Sequence, residues 1–139
     1  MRIYESMQTI ELLKCFSDIT RLRLVNLLVN RGPEICVCDL ISVLDQPQST
    51  ISRQLSILRQ YDVLTARREG LWIHYSLSNP HNRLHTALVE SLKTPEEHQL
   101  KADLKTFDQL KRRSALACCA PRPLNGKGCC SPVVTIKSK

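Results

Sequence analysis

Residues 49–77 read STISRQLSILRQYDVLTARREGLWIHYSL, and the hydrophobic period of this stretch changes halfway along it. In the first half, apolar residues recur at i, i+4 and i+7, which predicts one buried face of a helix. In the second half, two β-rich runs flank Gly70, and a tight turn at Glu69–Gly70 is predicted to join them as a hairpin. The buried helix face comprises Ile51, Leu55 and Leu58.

The sequence upstream of this stretch predicts three further helices. Two amphipathic helices are expected over residues 8–16 and 17–32, and Ser17 or Asp18 can cap the free N–H groups at the start of the second. A short helix over Cys36–Asp45 follows, and a QPQ turn separates it from the helix that opens the stretch quoted above. Two helices joined by a short turn are therefore expected directly before the hairpin.

Two more helices are predicted after the hairpin, one over residues 81–93 and one over residues 94–117. From residue 118 the chain is rich in Pro, Gly and Lys, which favours a flexible tail. The complete order predicts a mainly α fold with a small β-hairpin, a winged helix-turn-helix. We expect residues 1–93 to form this domain, with a separate C-terminal amphipathic helix after it and a Cys-rich basic tail over residues 118–139.

Composition and charge restrict the class of protein. The chain has 139 residues and is 42% hydrophobic, enough for one small packed domain. Its net charge of +7 is uneven, with ten Lys/Arg against nine Asp/Glu in residues 1–92 and ten against four in residues 93–139. Such an excess suits a polyanionic partner such as nucleic acid, although a solvated basic tail is the alternative. The sequence has neither the apolar run of a membrane span nor a signal-peptide pattern, so a cytoplasmic location with reduced thiols is predicted.

The helix that begins near residue 49 carries polar side chains at its start, away from its apolar face. A helix that enters the DNA major groove reads base edges with its N-terminal residues, and Arg and Gln can each make two hydrogen bonds to one base. Two arginines near the hairpin tip can reach the DNA backbone or minor groove. We therefore predict double-stranded operator DNA as the partner, with an ordinary helical subdomain as the alternative. The predicted contacts are Gln48, Ser49, Thr50, Ser52, Arg53, Gln54, Arg67 and Arg68.

Cys36 and Cys38 lie one residue apart in ICVCDL, at the start of the short helix that precedes the predicted DNA-reading helix. Residues i and i+2 lie on opposite sides of a regular helix, so the thiols are expected to converge only if the backbone opens at the helix terminus. Paired thiolates favour soft, thiophilic ions, and a helix N-terminus eases thiolate formation. An ion bound here is expected to strain the short helix and so to switch DNA binding. Two small core residues are the alternative.

Apolar positions on the first helix and on the helix over residues 81–93 are expected to form the interface of a homodimer, with internal core packing as the alternative. A symmetric dimer would read two half-sites about 34–36 Å apart, or a multiple of that spacing. The residues assigned to this interface are Ile10, Leu13, Leu84, Leu88 and Leu92.

Three segments resemble the ArsR/SmtB family of metal- and metalloid-responsive repressors: SDITRLRLV, ICVCDL and DQPQSTISRQLSILRQYDVLTARREGLWIHYSLS. The resemblance covers about residues 8–93 and is strongest with the arsenic-responsive branch. It implies a homodimeric repressor that leaves its operator when the inducer, trivalent arsenic or antimony, binds thiolates at Cys36 and Cys38. No catalytic cofactor is implied.

One position departs from the pattern of that branch. Its members have a third cysteine three residues after the second, where this sequence has Ile41. Trivalent arsenic prefers three sulfurs, so an external thiol or another cysteine of the chain is expected to supply the third. The candidates within the chain are Cys15, for which core packing is favoured, and the tail pairs Cys118/Cys119 and Cys129/Cys130.

Other inducers and other classes of protein stay open at this point. The cadmium/lead branch adds cysteines near its N-terminus, and residues 1–14 contain none. The zinc branch uses Asp and His pairs. His81 and His85 lack the rest of that set and are predicted to lie on the surface. Oxidation of the thiols is a further alternative within the same fold. An enzyme is not expected, because a reductase would need C-x-x-C beside a βαβ pattern and no other catalytic arrangement is visible.

Overall fold

The computed structural model describes residues 2–117, with side chains for residues 8–113. This part of the chain folds into helices around a small sheet, so the predicted mainly α fold with a wing is confirmed. The helices are α1 (Arg2–Phe16), α2 (Ile19–Asn30), α3 (Val37–Leu44), α4 (Gln48–Gln60), α5 (Arg83–Ser91) and α6 (His98–Ala117). The strands are β1 (Ile35–Cys36), β2 (Leu64–Glu69) and β3 (Trp72–Leu77).

One hydrophobic core joins the helices. The apolar face predicted for α4 is fully buried, and α6 enters the same core through Leu100, Leu104 and Phe107. Full burial of one such side chain contributes about 2 kcal/mol, so α6 packs as part of the core rather than beside it. None of the helices in the described residues is long and apolar enough to cross a membrane.

The boundaries of the helix-turn-helix follow from local hydrogen bonds. Asp18 caps α2 as predicted, because its side chain accepts a hydrogen bond from the Arg21 backbone N–H at 3.1 Å. At the end of α3, Asp45 adopts a left-handed conformation with φ 52°, and its N–H donates to the Ile41 carbonyl at 3.0 Å. A left-handed residue at this position ends a helix and reverses the chain. Pro47 then precedes α4, so the turn between the two helices is short.

Strand β1 is a feature that the sequence analysis missed. Ile35 pairs with Tyr75 and Cys36 pairs with His74, both antiparallel, so that the sheet has the order β1-β3-β2. A strand of two residues is too short to show alternation of apolar and polar residues. Cys36 therefore belongs to the sheet and not to α3, and the prediction that the short helix begins at Cys36 is wrong.

The hairpin turn lies one residue later than predicted. Glu69 pairs with Trp72 across β2 and β3, which leaves Gly70 and Leu71 as the two turn residues. Gly70 has φ 63°, a left-handed conformation that glycine adopts without steric cost. The predicted turn therefore contains the correct glycine, but its other residue is Leu71, and Glu69 belongs to β2.

Two ion pairs hold α6 against α2. Arg23 donates to both carboxylate oxygens of Asp103, at 2.7 and 2.9 Å. Arg31 donates in the same way to Asp108, at 2.7 and 3.0 Å. Paired hydrogen bonds of this kind fix orientation as well as distance, so they hold α6 against α2 and against Arg31, which directly follows α2.

Candidate DNA interface and thiol site

The sulfur atoms of Cys36 and Cys38 lie 3.0 Å apart, in contact but not bonded. Both residues are buried. Cys36 has an extended backbone, with φ −70° and ψ 143°, because it ends β1 and precedes the first residue of α3. The opposed directions of i and i+2 in a regular helix therefore do not apply. The expectation that the thiols converge where the backbone leaves the helix at its N-terminus agrees with this geometry, since Cys36 is extended and the sulfurs are in contact.

The thiol pair lies where the wing meets the helix-turn-helix. Cys36 pairs with His74 of β3, while α3 packs against α4 and α6. Asp39, the residue after Cys38, accepts a hydrogen bond from the Lys111 ammonium group of α6 at 2.6 Å. A ligand at the pair therefore contacts both β1, which pairs with β3 of the wing, and α3, which packs against α4.

Cys15 is a core residue, as the sequence analysis favoured. It is 1% exposed, and burial raises the pKa of its thiol to about 11, although the positive charge of Arg21 opposes the shift. A covered thiol that stays protonated is a poor ligand for a soft ion. The tail cysteines at positions 118, 119, 129 and 130 lie outside the described residues.

Among the residues that the structure describes, no group of three or more His, Cys, Asp or Glu side chains is placed to hold a metal ion. Ile41, which occupies the position of the third cysteine, is half-buried. The described residues therefore supply two convergent sulfurs and no third ligand beside them.

Six of the residues predicted to read DNA lie in the N-terminal half of α4, outside its buried face. A surface of this kind can enter the major groove without exposing the apolar core. The exposed members are Gln48, Ser49 and Arg53, and the half-buried members are Thr50, Ser52 and Gln54.

Gln54 has a structural partner that the sequence did not indicate. Arg21 donates from Nη1 to Gln54 Oε1 at 2.6 Å, from Nε to the Cys15 carbonyl at 2.6 Å and from Nη2 to the Lys14 carbonyl at 3.1 Å. One guanidinium group therefore ties the end of α1 and the start of α2 to α4. A local sequence pattern cannot predict a contact between residues that are 33 positions apart.

The two wing arginines, predicted as equivalent, have different surroundings. Arg67 donates from Nε and Nη2 to the two oxygens of Glu34, at 3.0 and 2.6 Å, and lies 3.3 Å from Glu69 Oε2. These hydrogen bonds hold the pKa of the Glu34 carboxyl below its ordinary value. Arg68 is exposed on the same strand. Buried His74 lies between the same two carboxylates, with Nε2 3.4 Å from Glu69 and Nδ1 3.8 Å from Glu34.

The prediction that His85 lies on the surface is wrong, since its exposure is 0%. Its ring stands edge-on to Phe16 at 6.4 Å between centroids, and its Nδ1 lies 3.3 Å from Nδ1 of His81. Burial, with a contribution from His81, lowers the pKa of His85. The helical period alone did not show that the end of α1 covers this position. His81 is exposed, as predicted.

The five residues assigned to a dimer interface differ in how exposed they are. Ile10 and Leu13 are exposed on α1, and Leu84 and Leu88 are half-buried against the core. Leu92 is buried within the protomer. Among the described side chains, the exposed large apolar residues are Ile10, Leu13, Ile19 and Leu71.

Helices α3 and α4, with the hairpin after them, define a winged helix-turn-helix of the kind found in DNA-binding regulators. Residues 18–65 match the family model described as bacterial regulatory protein, arsR family. The chain belongs to this family.

Similar proteins of this family are regulators of resistance. The chain is 51% identical over 72 residues to the arsenical resistance operon repressor of Escherichia coli, a match that covers 52% of this chain and 60% of that protein. It is 34% identical over 107 residues to the arsenic resistance transcriptional regulator ArsR1 of Pseudomonas putida, covering 76% of this chain and 83% of that one. These relatives confirm that the chain is a transcriptional regulator and not an enzyme.

Solved structures show the same fold. HlyU from Vibrio cholerae aligns with a TM-score of 0.55 at 30% identity, over 63% of this chain and 90% of that chain. The AntR antimony-specific transcriptional repressor aligns with a TM-score of 0.52 at 26% identity, over 78% of this chain and 85% of that chain.

Proposed function

We propose that this protein represses transcription by binding operator DNA and is released when trivalent arsenic or antimony binds the thiolates of Cys36 and Cys38. The 3.0 Å contact between the two sulfurs carries the proposal. Soft thiolates select soft ions, and two thiols already in contact need little rearrangement to share one. The names of the relatives, which refer to arsenical resistance and antimony, support the same inducers.

The position of the thiols also supplies a route to release. An ion that bonds to both thiolates ties the end of β1 to the start of α3. Since β1 pairs with β3 of the wing and α3 packs on α4, this constraint reaches both predicted DNA contacts. The metalloid shifts the equilibrium by its preference for the form of these elements that does not hold DNA.

For the third sulfur we propose Cys118 or Cys119, or a small external thiol, rather than Cys15. Use of Cys15 would require the core to open around a thiol that stays protonated. The ion pair between Lys111 and Asp39 holds α6 against the start of α3, and residues 118 and 119 follow α6 directly in the sequence.

We also propose that the active form is a homodimer whose interface includes Ile10 and Leu13, with Leu84 and Leu88 at its edge. Exposed apolar residues on one helix are typical of a surface covered by a second subunit. Sedimentation of the wild type and of an Ile10→Glu/Leu13→Glu variant tests this assignment. A variant that still sediments as a dimer contradicts it.

The central experiment is an arsenite titration of the reduced protein bound to its own upstream DNA, followed by fluorescence anisotropy. The wild type should dissociate, and the Cys36→Ser/Cys38→Ser variant should stay bound at the same arsenite concentrations. A Cys15→Ser variant is the matched control and should dissociate like the wild type. Dissociation of the double variant at wild-type arsenite concentrations would overturn the proposal.

Selectivity is measured in the same assay with antimonite, cadmium and zinc in place of arsenite. We expect antimonite to act like arsenite, because both are soft trivalent centres. Release by cadmium or zinc at lower concentrations than arsenite would assign the protein to a divalent-metal inducer.

A thiol-redox repressor is the second candidate, since the same sulfur contact also favours oxidation. One molecule of peroxide would take two electrons and two protons from the thiols, forming one disulfide and two molecules of water. Release by peroxide that a reductant reverses, without release by arsenite under reducing conditions, would select this function.

A further inference from the structure

The carboxylate of Glu34 binds Arg67, one of the two wing arginines. Both of its oxygens accept hydrogen bonds from Arg67, at 2.6 and 3.0 Å. These two bonds engage Nε and Nη2, one full edge of the guanidinium group. The same edge is the one that binds a phosphate with two parallel hydrogen bonds. While the pair is closed, Arg67 cannot present this edge to DNA.

Glu34 is also tied closely to the thiols. It directly precedes β1, and Cys36 is the second residue of that strand. Strand β1 pairs with β3 at two positions only, Ile35 with Tyr75 and Cys36 with His74. An ion that fixes Cys36 therefore constrains one end of a very short strand, and Glu34 lies at its other end.

We propose that Glu34 masks Arg67 from the DNA backbone, and that binding of the inducer at Cys36 and Cys38 shifts DNA affinity partly through this pair. This inference rests on the proposed function for its second half only. In the DNA complex Arg67 leaves Glu34 for a phosphate. With the inducer bound, β1 holds Glu34 where it recaptures Arg67. Glu34 is thus a positioning residue that acts through Arg67 and touches neither the ion nor the DNA.

The competition between Glu34 and a DNA phosphate for Arg67 predicts the direction in which DNA affinity changes. Without the charge of Glu34, Arg67 keeps only its longer hydrogen bonds to Glu69, at 3.3 Å, which leave Nε available. Glu34→Gln should therefore bind operator and unrelated DNA several-fold more tightly than the wild type. More arsenite should be needed to release the variant, because recapture of Arg67 is lost.

Three variants serve as controls. Glu90→Gln on α5 removes the same charge from an exposed pair with Lys93, and reports the effect of net charge alone. Glu34→Asp keeps the charge and should stay close to the wild type. Arg67→Ala should cost little affinity in the wild type but should abolish the gain of Glu34→Gln, because the gain is made by Arg67.

The outcomes separate this inference from the proposed function. Tighter binding by Glu34→Gln that depends on Arg67 supports the masking, whether or not arsenite releases any variant. Equal or weaker binding by Glu34→Gln, with an unfolding midpoint like that of the wild type, overturns it. A gain that Glu90→Gln reproduces overturns it as well. Unchanged arsenite sensitivity in a tighter-binding Glu34→Gln variant overturns the coupling to the inducer.

Discussion

Arg23 of α2 and Asp103 of α6 form a doubly hydrogen-bonded ion pair across 80 positions of the chain. The carboxylate is 3% exposed and the guanidinium group 13%. Asp103 also accepts a hydrogen bond from Gln99 at 3.0 Å. Because the carboxylate has almost no access to water, its orientation depends on these partners, and the helix that carries it is fixed to the helix-turn-helix.

Replacing Asp103 by Asn should lower the free energy of unfolding by about 3 kcal/mol, because the largely covered guanidinium group of Arg23 loses its counter-charge. Urea denaturation measures the change. Asp108→Asn is the matched control on the same helix, in a pair whose carboxylate is 42% exposed. Its loss should stay below about 1 kcal/mol. Equal losses at the two positions would show that burial does not distinguish the pairs.

The hydrogen bond between Arg21 and Gln54 should be measurable as a coupling energy. In a double-mutant cycle of Arg21→Met and Gln54→Ala, we expect about 1 kcal/mol of interaction in the free energy of unfolding, the usual net value of one hydrogen bond. Arg21→Met alone should cost more than Gln54→Ala alone, since it also removes the donors to the end of α1. Strict additivity would mean that Gln54 is not held by Arg21 in solution.

Arg53 and Arg68 should affect DNA binding in different ways. Arg53→Ala on α4 should cost about 1–3 kcal/mol at the operator and relax the preference at one base pair. Arg68→Ala on the wing should weaken operator and unrelated DNA alike and reduce the salt slope by about one. Binding to a panel of operator variants at several salt concentrations gives both readouts. Arg83→Ala on α5 is the control, and a change in its salt slope equal to that of Arg68→Ala would contradict the assignment to the wing.

Cys15 should make stability depend on pH at the alkaline end. Its thiol ionises near 9.0 in the unfolded chain and near 11 in the folded one, so the unfolded state releases its proton first as the pH rises. The stabilising effect is complete below pH 9 and is lost between pH 9 and pH 11. A Cys15→Ala variant should therefore lose less stability across this interval than the wild type, as measured by urea denaturation at both ends. Buried Tyr75, whose pKa is also raised by burial, is present in both proteins and cancels. Parallel curves would contradict the assignment.

The elements with a long, regular pattern were predictable from the sequence. The apolar spacing of Ile51, Leu55 and Leu58 identified α4, and Ser17 or Asp18 was predicted to start α2, where the cap is Asp18. What the sequence did not reveal depends on contacts between distant residues. The pairing of Cys36 with His74 removes that cysteine from the helix and makes the thiols converge, and no periodicity in two residues can report it.

The same limit explains the errors at single side chains. His85 occupies a position that looks solvent-facing on an isolated helix, yet Phe16 covers it. Arg67 and Arg68 are adjacent and chemically identical, so only the position of Glu34 tells them apart. Charge and spacing predict which residues are able to bind a partner, whereas tertiary contacts decide which of them already have one.

The placement of the thiols on β1 and at the start of α3, rather than on α4, has a consequence for engineering. The side chains proposed to bind the ion and those predicted to face the bases belong to different elements, and half-buried Ile41 lies on α3 with Cys38. A designer who wants a biosensor for another soft ion can therefore vary positions 36, 38 and 41 while leaving α4 untouched. One promoter and one reporter would then serve a whole set of detectors.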